Sequence, residues 1–570
     1  MKEPIGEAMA TAALLDQALG DPLDEQSAAS FSAGVTTDRE GRFPQHLCSA
    51  AFEWGLAEYL IPAGSGGGLR SLEQCLALFR VLARRDVTAA TAIAASFLAS
   101  LPVWLEGTPG QRRAVAGLLR GHRFLAFAIG GDDHGADILT GTDAARGTGH
   151  AWSLHGSTPL IDNGGHAAAA TVLARTGNGG DLTTFLLTPS SGSGGHWGSL
   201  PKHETHGLRA TALSHLTLSG FPAGDAEVVG RPGQALDTVL HTLPVARMLV
   251  AGLALGGLDT CLRAVVSFAR SRRLYGRAIM ELEPVACRLV DVYTDLLIAE
   301  AVSHELCRTA RMSPHRFPLM SACVKELVPR LATDGVESLA IVLGARAYCS
   351  TEHWHGIVEK MRRDCAVVTV LLDEDRLPAP GATRAATELG ALPPDPFAPS
   401  PPEPAWTGRL PAGAEAGLSA DDDAGQSGVA VAARLLRDEG APEPYGRRLL
   451  ELLGRFEEMA AQADEVALAA GEPDWHRGGD AHDLAERHAH LHAAEACAWT
   501  WVRRRREPAE EFHASGAWLV LCLQRLARLM GAHRPQDDAG SGDLRRAAMA
   551  RLERAYDERH LFSDIEVPLT

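Results

Sequence analysis

Three arginines within six residues, Arg272, Arg273 and Arg277, flank Leu274, Tyr275 and Gly276 at the end of a long apolar helical pattern. Arginine presents a planar fork of donors matched to phosphate oxygens, and a glycine at this point lets the backbone turn sharply. The chemistry such a run serves is the holding of a pyrophosphate. A basic helix end also complements the helix dipole without binding anything, so the run needs companions before it specifies a ligand.

Other reactive-looking groups carry less. His476, His482, His488, His490 and His492 crowd one segment, and His488 and His492 share a helical face as metal-binding pairs do. No carboxylate set accompanies them in this alanine-rich stretch, so solvated or packing histidines are expected and no metal. Trp499 and Trp501 read as core or interface packing. The run from Arg503 to Arg506 reads as a solvated helix end, with an acidic partner such as a carrier protein as the alternative.

The elements that must position these groups fall into blocks. Residues 10 to 123 have apolar spacing of helical period, as at Leu72, Leu76, Phe79 and Leu82, broken by a turn at Gly66 to Gly68. From Arg123 to about Val229 short apolar runs alternate with glycine- and serine-rich turns, the pattern of a small antiparallel sheet or barrel. Residues 236–270, 285–311 and 318–347 return to long helices rich in alanine and leucine, apolar on more than one side, which suit packing against a second copy. Prolines 393, 394, 396, 399, 401, 402 and 404 then predict an extended linker. Amphipathic helices follow. The expected organisation is mainly α with a small central β domain: a helical domain at 1–123, a β domain at 124–232, a helix bundle at 233–377, a linker at 378–411 and a helical extension at 412–570. The linker predicts an extension separable from the rest.

A chain of 570 residues exceeds one core, and 46% apolar content is enough to fill several. The formal charge of −17 argues against a nucleic-acid surface. Ten scattered cysteines without a Cys-x-x-Cys pair disfavour structural zinc and a secreted disulfide framework, and point to the cytoplasm. The N-terminal residues lack a secretory pattern, and no uninterrupted apolar run of membrane-spanning length is expected.

Ordered matches then reveal a resemblance. Arg247 to Gly256, followed by Ser271 to Gly276, resembles the third domain of the acyl-CoA dehydrogenase family. Upstream, Phe43-Pro44, Ile61-Pro62, Gly66 to Gly68, Leu82 to Asp86 and Gly107-Thr108 resemble its helical N-terminal domain. Leu125 to Asp137 and Gly156 to Arg175 resemble its middle β domain. Val358 to Asp364 is similar to the segment leading into its catalytic loop. The resemblance spans about residues 40 to 375.

It implies a cytoplasmic homodimer or homotetramer that binds FAD and oxidises an acyl thioester, on CoA or an acyl carrier protein, between the α and β carbons. A base would take the α proton while hydride leaves for the flavin. It places Arg272 at the pyrophosphate, Tyr275 beside the cofactor and Gly344 in a glycine-rich contact from a neighbouring subunit. Gly135, Asp162 and Glu283 fall at further cofactor positions, and Ala136, Asp137, Pro244 and Arg247 at substrate positions. Several depart from the family pattern. Ala345 and Ala347 replace glycines, Ile341 and Glu283 replace glutamines, and Leu160-Ile161-Asp162 stands for Trp-Ile-Thr. Ala136 replaces a serine, and Pro244 stands where an aspartate would meet the acyl carrier. Glu283 would repel pyrophosphate unless Arg272 or Arg273 screened it. Leu372 occupies the place of the catalytic glutamate, leaving Asp373 and Glu374 as substitute bases. A flavin monooxygenase of the same fold, or a binding protein whose cofactor pocket has been lost, remain the competing expectations.

Overall fold

Capping residues set the starts of the N-terminal helices in a computed structural model of the chain. It describes residues 4–129, 142–146, 151–176, 181–189, 195–371, 427–442, 444–469, 479–505, 511–534, 541–565 and 567–570. Helices α1 (Pro4–Leu19), α2 (Phe31–Arg39) and α3 (Gln45–Trp54) precede α4 (Leu72–Arg85), whose Ser71 cap accepts from the Gln74 N–H. Asp86 caps α5 (Val87–Glu106), and Thr108 with Gln111 forms a capping box on α6 (Pro109–Arg120).

The β domain follows as β1 (Phe124–Ala128), β2 (Thr142–Arg146), β3 (Ala151–Ile161), β4 (Ala167–Arg175), β5 (Leu182–Leu187), β6 (His196–Ser199), β7 (Ser214–Gly224) and β8 (Val228–Val229). Its order is β6-β7-β3-β2-β4-β5-β8, with β1 also paired to β4. The sheet is not wholly antiparallel, because β4 runs parallel to both β1 and β2. Trp152, Phe185, Leu218 and Phe221 fill its core.

Three long helices, α7 (Ala235–Ser271), α8 (Glu283–Met312) and α9 (Phe317–Leu343), form the bundle with α10 (Ile357–Val370). Gly252 and Gly256 let α7 approach α4; a Cβ on Gly256 would lie 2.4 Å from the Arg80 carbonyl oxygen. Two helices, Val87–Glu106 and Thr238–Ser271, are long and apolar enough to cross a bilayer by length and composition alone. They are interior helices, 89% and 94% buried across their most apolar windows. Their apolar character is used against neighbouring helices.

The extension comprises α11 (Gly428–Glu439), α12 (Gly446–Ala469), α13 (Gly479–Arg504), α14 (Glu511–Ala514), α15 (Ala517–Leu529) and α16 (Ser541–Asp557). It shares one continuous apolar core with the bundle, so a module tethered only by its linker does not describe it. Buried ion pairs of the N-terminal helices and the bundle hold the tail of the extension through its backbone. Arg80 pairs with Glu300 at 2.6 Å and donates to the Phe562 carbonyl at 2.9 Å. The Phe562 N–H donates to Asp259, the Asp564 N–H to Glu300 and the Thr570 N–H to Asp16. Asp259 and Asp16 also bind Arg84 at 2.7 and 2.8 Å. Although burial pushes these two carboxyls up, the neighbouring guanidiniums hold both below the usual carboxylate range.

Candidate cofactor and substrate site

Helix α7 stops at Ser271, and Arg272 turns extended, its N–H still bonded to the Phe268 carbonyl at 2.9 Å. The short strands β9 (Arg273–Leu274) and β10 (Arg277–Ala278) then pair antiparallel. Tyr275 and Gly276 make the two-residue connection with φ of 52° and 80°. Positive φ at both positions matches the twist of a tight hairpin, and glycine takes the second without steric cost. Tyr275 is 92% exposed. Among the described residues, none accepts a hydrogen bond or ion pair from the side chains of Arg272, Arg273 or Arg277.

A second segment approaches the same end of the bundle. Gly344 closes α9 with φ 62° and ψ −134°, a combination essentially confined to glycine, and a 3-10 turn continues to Tyr348. The Arg346 guanidinium lies 5.6 Å from the Phe268 ring, and His353 Nε2 lies 2.7 Å from the Ala264 carbonyl. The segment therefore lies along the last turns of α7, just before the hairpin. Leu274, Tyr275, Ile341 and Tyr348 are all exposed apolar side chains of these two segments. Three guanidiniums with no carboxylate partner among the described residues are a donor set that fits a pyrophosphate.

Glu283, the first residue of α8, is exposed and lies 3.0 Å from Arg545 of α16. The cation that screens it comes from the extension, not from Arg272 or Arg273, because α16 packs along the start of α8.

On the β-domain side, Asn163 sits at φ 62° and is buried. Its amide donates to Ala92 O at 2.7 Å, Leu125 O at 3.1 Å and Ser96 Oγ at 3.2 Å. These bonds pin the turn after β3 to α5 and fix its neighbour Asp162. Burial pushes the Asp162 carboxyl up to about 6. The folded chain therefore disfavours its charge above that pH, and the penalty vanishes below the ordinary carboxylate pKa of about 4. Asp162→Asn is expected to raise the melting temperature at neutral and alkaline pH, with the gain disappearing toward about pH 4. Melting curves of both proteins across pH check this, and a variant less stable at neutral pH would contradict it.

Pro244 and Arg247 lie one turn apart on α7, both buried. Pro244 offers no polar side-chain group, whereas Arg247 donates to Ser321 Oγ of α9 at 3.3 Å. Gly135, Ala136 and Asp137 lie outside the described residues, as do Leu372, Asp373 and Glu374.

The segments 82–86 and 358–364, far apart in the chain, meet at one buried lysine. Lys360 is fully buried and donates to Asp86 at 2.8 Å, Asp364 at 2.6 Å and Thr88 Oγ1 at 3.2 Å. Burial alone would push the ammonium down, but Asp364 and Asp86 hold it above its ordinary pKa. Asp364 also accepts the Leu208 N–H at 2.7 Å, and Arg363 binds Asp38 at 2.8 Å. Gly207 allows this close approach, since a Cβ there would lie 2.3 Å from the Arg363 carbonyl oxygen. One cluster thus ties α5, α10 and the loop before β7 together. Sequence reasoning did not single it out, although Lys360 and Asp364 at i and i+4, inside an otherwise well-packed helix, are its signature. The Gly207-Leu208 approach was likewise missed, because its partner lies more than a hundred residues away.

Arg503, Arg504 and Arg505 are engaged within the fold, whereas Arg506 and His476 lie outside the described residues. Arg503 binds Glu305 at 2.8 Å, Arg505 binds Glu439 at 3.2 Å, and Arg504 donates to the Asp564 carbonyl. The expectation of a free helix end fails because α13 packs on α8 and Arg504 reaches the C-terminal tail. Trp501 is buried and donates to the His513 carbonyl at 2.9 Å. His490 is buried, with Nδ1 2.8 Å from the Glu486 carbonyl, so that nitrogen carries the proton.

Comparisons with known proteins agree with the fold. The family described as acyl-CoA dehydrogenase, C-terminal domain, matches residues 233–372. A probable acyl-CoA dehydrogenase, FadE25 of Mycobacterium tuberculosis, is 24% identical over 352 residues, covering 61% of this chain and 88% of that protein. The human mitochondrial short-chain specific acyl-CoA dehydrogenase is 26% identical, covering 56% and 77%. An acyl-CoA dehydrogenase of Bacillus anthracis solved with FAD superposes with a TM-score of 0.70 at 15% identity, over 97% of this chain and 91% of that one. A prolyl acyl carrier protein oxidase superposes with a TM-score of 0.58 at 20% identity, over 68% of this chain and 100% of that one. The bundle at residues 233–372 thus matches the acyl-CoA dehydrogenase C-terminal domain, and the chain as a whole is similar to acyl-CoA dehydrogenases in sequence and in fold.

Proposed function

We propose that this chain is an FAD-dependent oxidoreductase acting on an acyl thioester, with an altered or absent dehydrogenase base. The observation that carries the reading is the α7 hairpin, whose three arginines have no protein partner among the described residues. Arg272 and its neighbours would hold the pyrophosphate, Tyr275 would lie against the cofactor, and Gly344 would let backbone approach it closely. FAD, when bound, supplies the hydride acceptor. Asp162 would meet the ring edge as a hydrogen-bonding group whose protonation changes near pH 6. The exposed apolar side chains Leu274, Tyr275, Ile341 and Tyr348 support a homodimer or homotetramer in which a second subunit completes the site. Glu283, neutralised by Arg545, does not oppose the pyrophosphate.

The substrate side has drifted. Pro244 removes a polar contact for the carrier, and leucine at 372 cannot accept a proton, so Asp373 or Glu374 would have to serve. Likeness to a prolyl acyl carrier protein oxidase supports a carrier-bound substrate as an alternative to CoA. Little or no anaerobic bleaching of bound flavin is expected with ordinary short- and medium-chain acyl-CoAs. Rapid bleaching that disappears in Asp373→Asn or Glu374→Gln would overturn this expectation and identify the base.

A further inference from the structure

A cleft of about 280 Å³ lies where the extension meets the bundle, between α1, α4, α8, α13 and the C-terminal tail. None of its lining residues belongs to the hairpin or to the segment 341–348. His304, Arg308 and Arg311 face it from α8, at the spacing of one helical face, and Thr500, Arg503 and Arg504 face it from α13. Two carboxylates, Glu73 and Asp564, also line it, leaving an excess of positive charge among the lining side chains of a chain whose formal charge is −17.

The guanidiniums are held in position. Arg311 binds Glu73 at 2.9 Å, Arg503 binds Glu305 at 2.8 Å and lies 5.4 Å from the Trp499 ring, and Arg504 donates to the Asp564 carbonyl. A guanidinium has five N–H donors, and Arg311 and Arg503 commit only part of theirs to these contacts. A purely structural staple would close the space between such groups, yet a cavity large enough for a small molecule remains.

We infer that this cleft binds the phosphoryl group of a small anion, either inorganic phosphate or a phosphate monoester, through the arginines of α8 and α13. Planar donor forks on opposing helices suit the tetrahedral oxygens, with Thr500 and His304 as neutral partners. Asp564 and Ile565 form part of its wall, so occupancy favours the docked tail and stabilises the whole chain.

Calorimetric titration of the FAD-saturated protein with inorganic phosphate, pyrophosphate and glycerol 3-phosphate, at constant ionic strength against chloride, tests this. Saturable binding with a rise in melting temperature is expected, weakened at least about tenfold by Arg308→Gln. Thr500→Tyr, which fills the cleft without changing charge, should abolish binding and guards against an unstable arginine variant. Tighter binding of glycerol 3-phosphate than of phosphate identifies a phosphorylated metabolite, and the reverse order the free ion. No saturable heat with any of the three, or binding unchanged in both variants, would overturn the inference.

Discussion

Lys360→Met is expected to destabilise the protein by about 3–5 kcal/mol, because it leaves two buried carboxylates facing each other without a cation. Asp86 and Asp364 both receive the ammonium, and neither side chain reaches solvent. The loss should depend on pH in a way that identifies its cause. Uncompensated buried carboxyls titrate above their unfolded pKa, so the variant should regain stability as pH falls from about 8 toward about 5. Chemical denaturation at several pH values reads both the size and the slope. A loss below about 1 kcal/mol would mean that the cluster does not hold α5 and α10 together.

Arg272→Glu is expected to abolish FAD retention while leaving the far-ultraviolet circular dichroism unchanged. Each charge-assisted contact to phosphate contributes about 1.5–3 kcal/mol, and reversing the charge adds repulsion. The helix should tolerate it, since the residue sits beyond the last turn of α7 and its side chain makes no hydrogen bond or ion pair among the described residues. Flavin stoichiometry after reconstitution and gel filtration measures the effect. An unchanged stoichiometry would reject the assignment of Arg272.

Much of this arrangement is legible in the sequence because it rests on local signals. Helical period marks α4 and α7, the Tyr275-Gly276 pair permits a tight connection, and Asp86 before an apolar run reads as a cap. What stayed hidden depends on residues distant in sequence. Asp364 is bonded to Leu208, Arg80 to Phe562, and Thr570 to Asp16, and no period or motif announces such pairings. The same cause misled the reading of the arginine run. A basic helix end looks solvated until Glu305, Glu439 and the tail are folded against it. Interior helices such as α5 are likewise apolar all round, and only their neighbours show why.

The visible absorbance of the purified 570-residue chain after incubation with FAD and removal of free flavin decides whether it is a flavoprotein. Two bands of bound oxidised flavin are expected, at near one FAD per chain in the wild type and near none in Arg272→Glu. A colourless, folded wild-type protein that takes up no added FAD would contradict it.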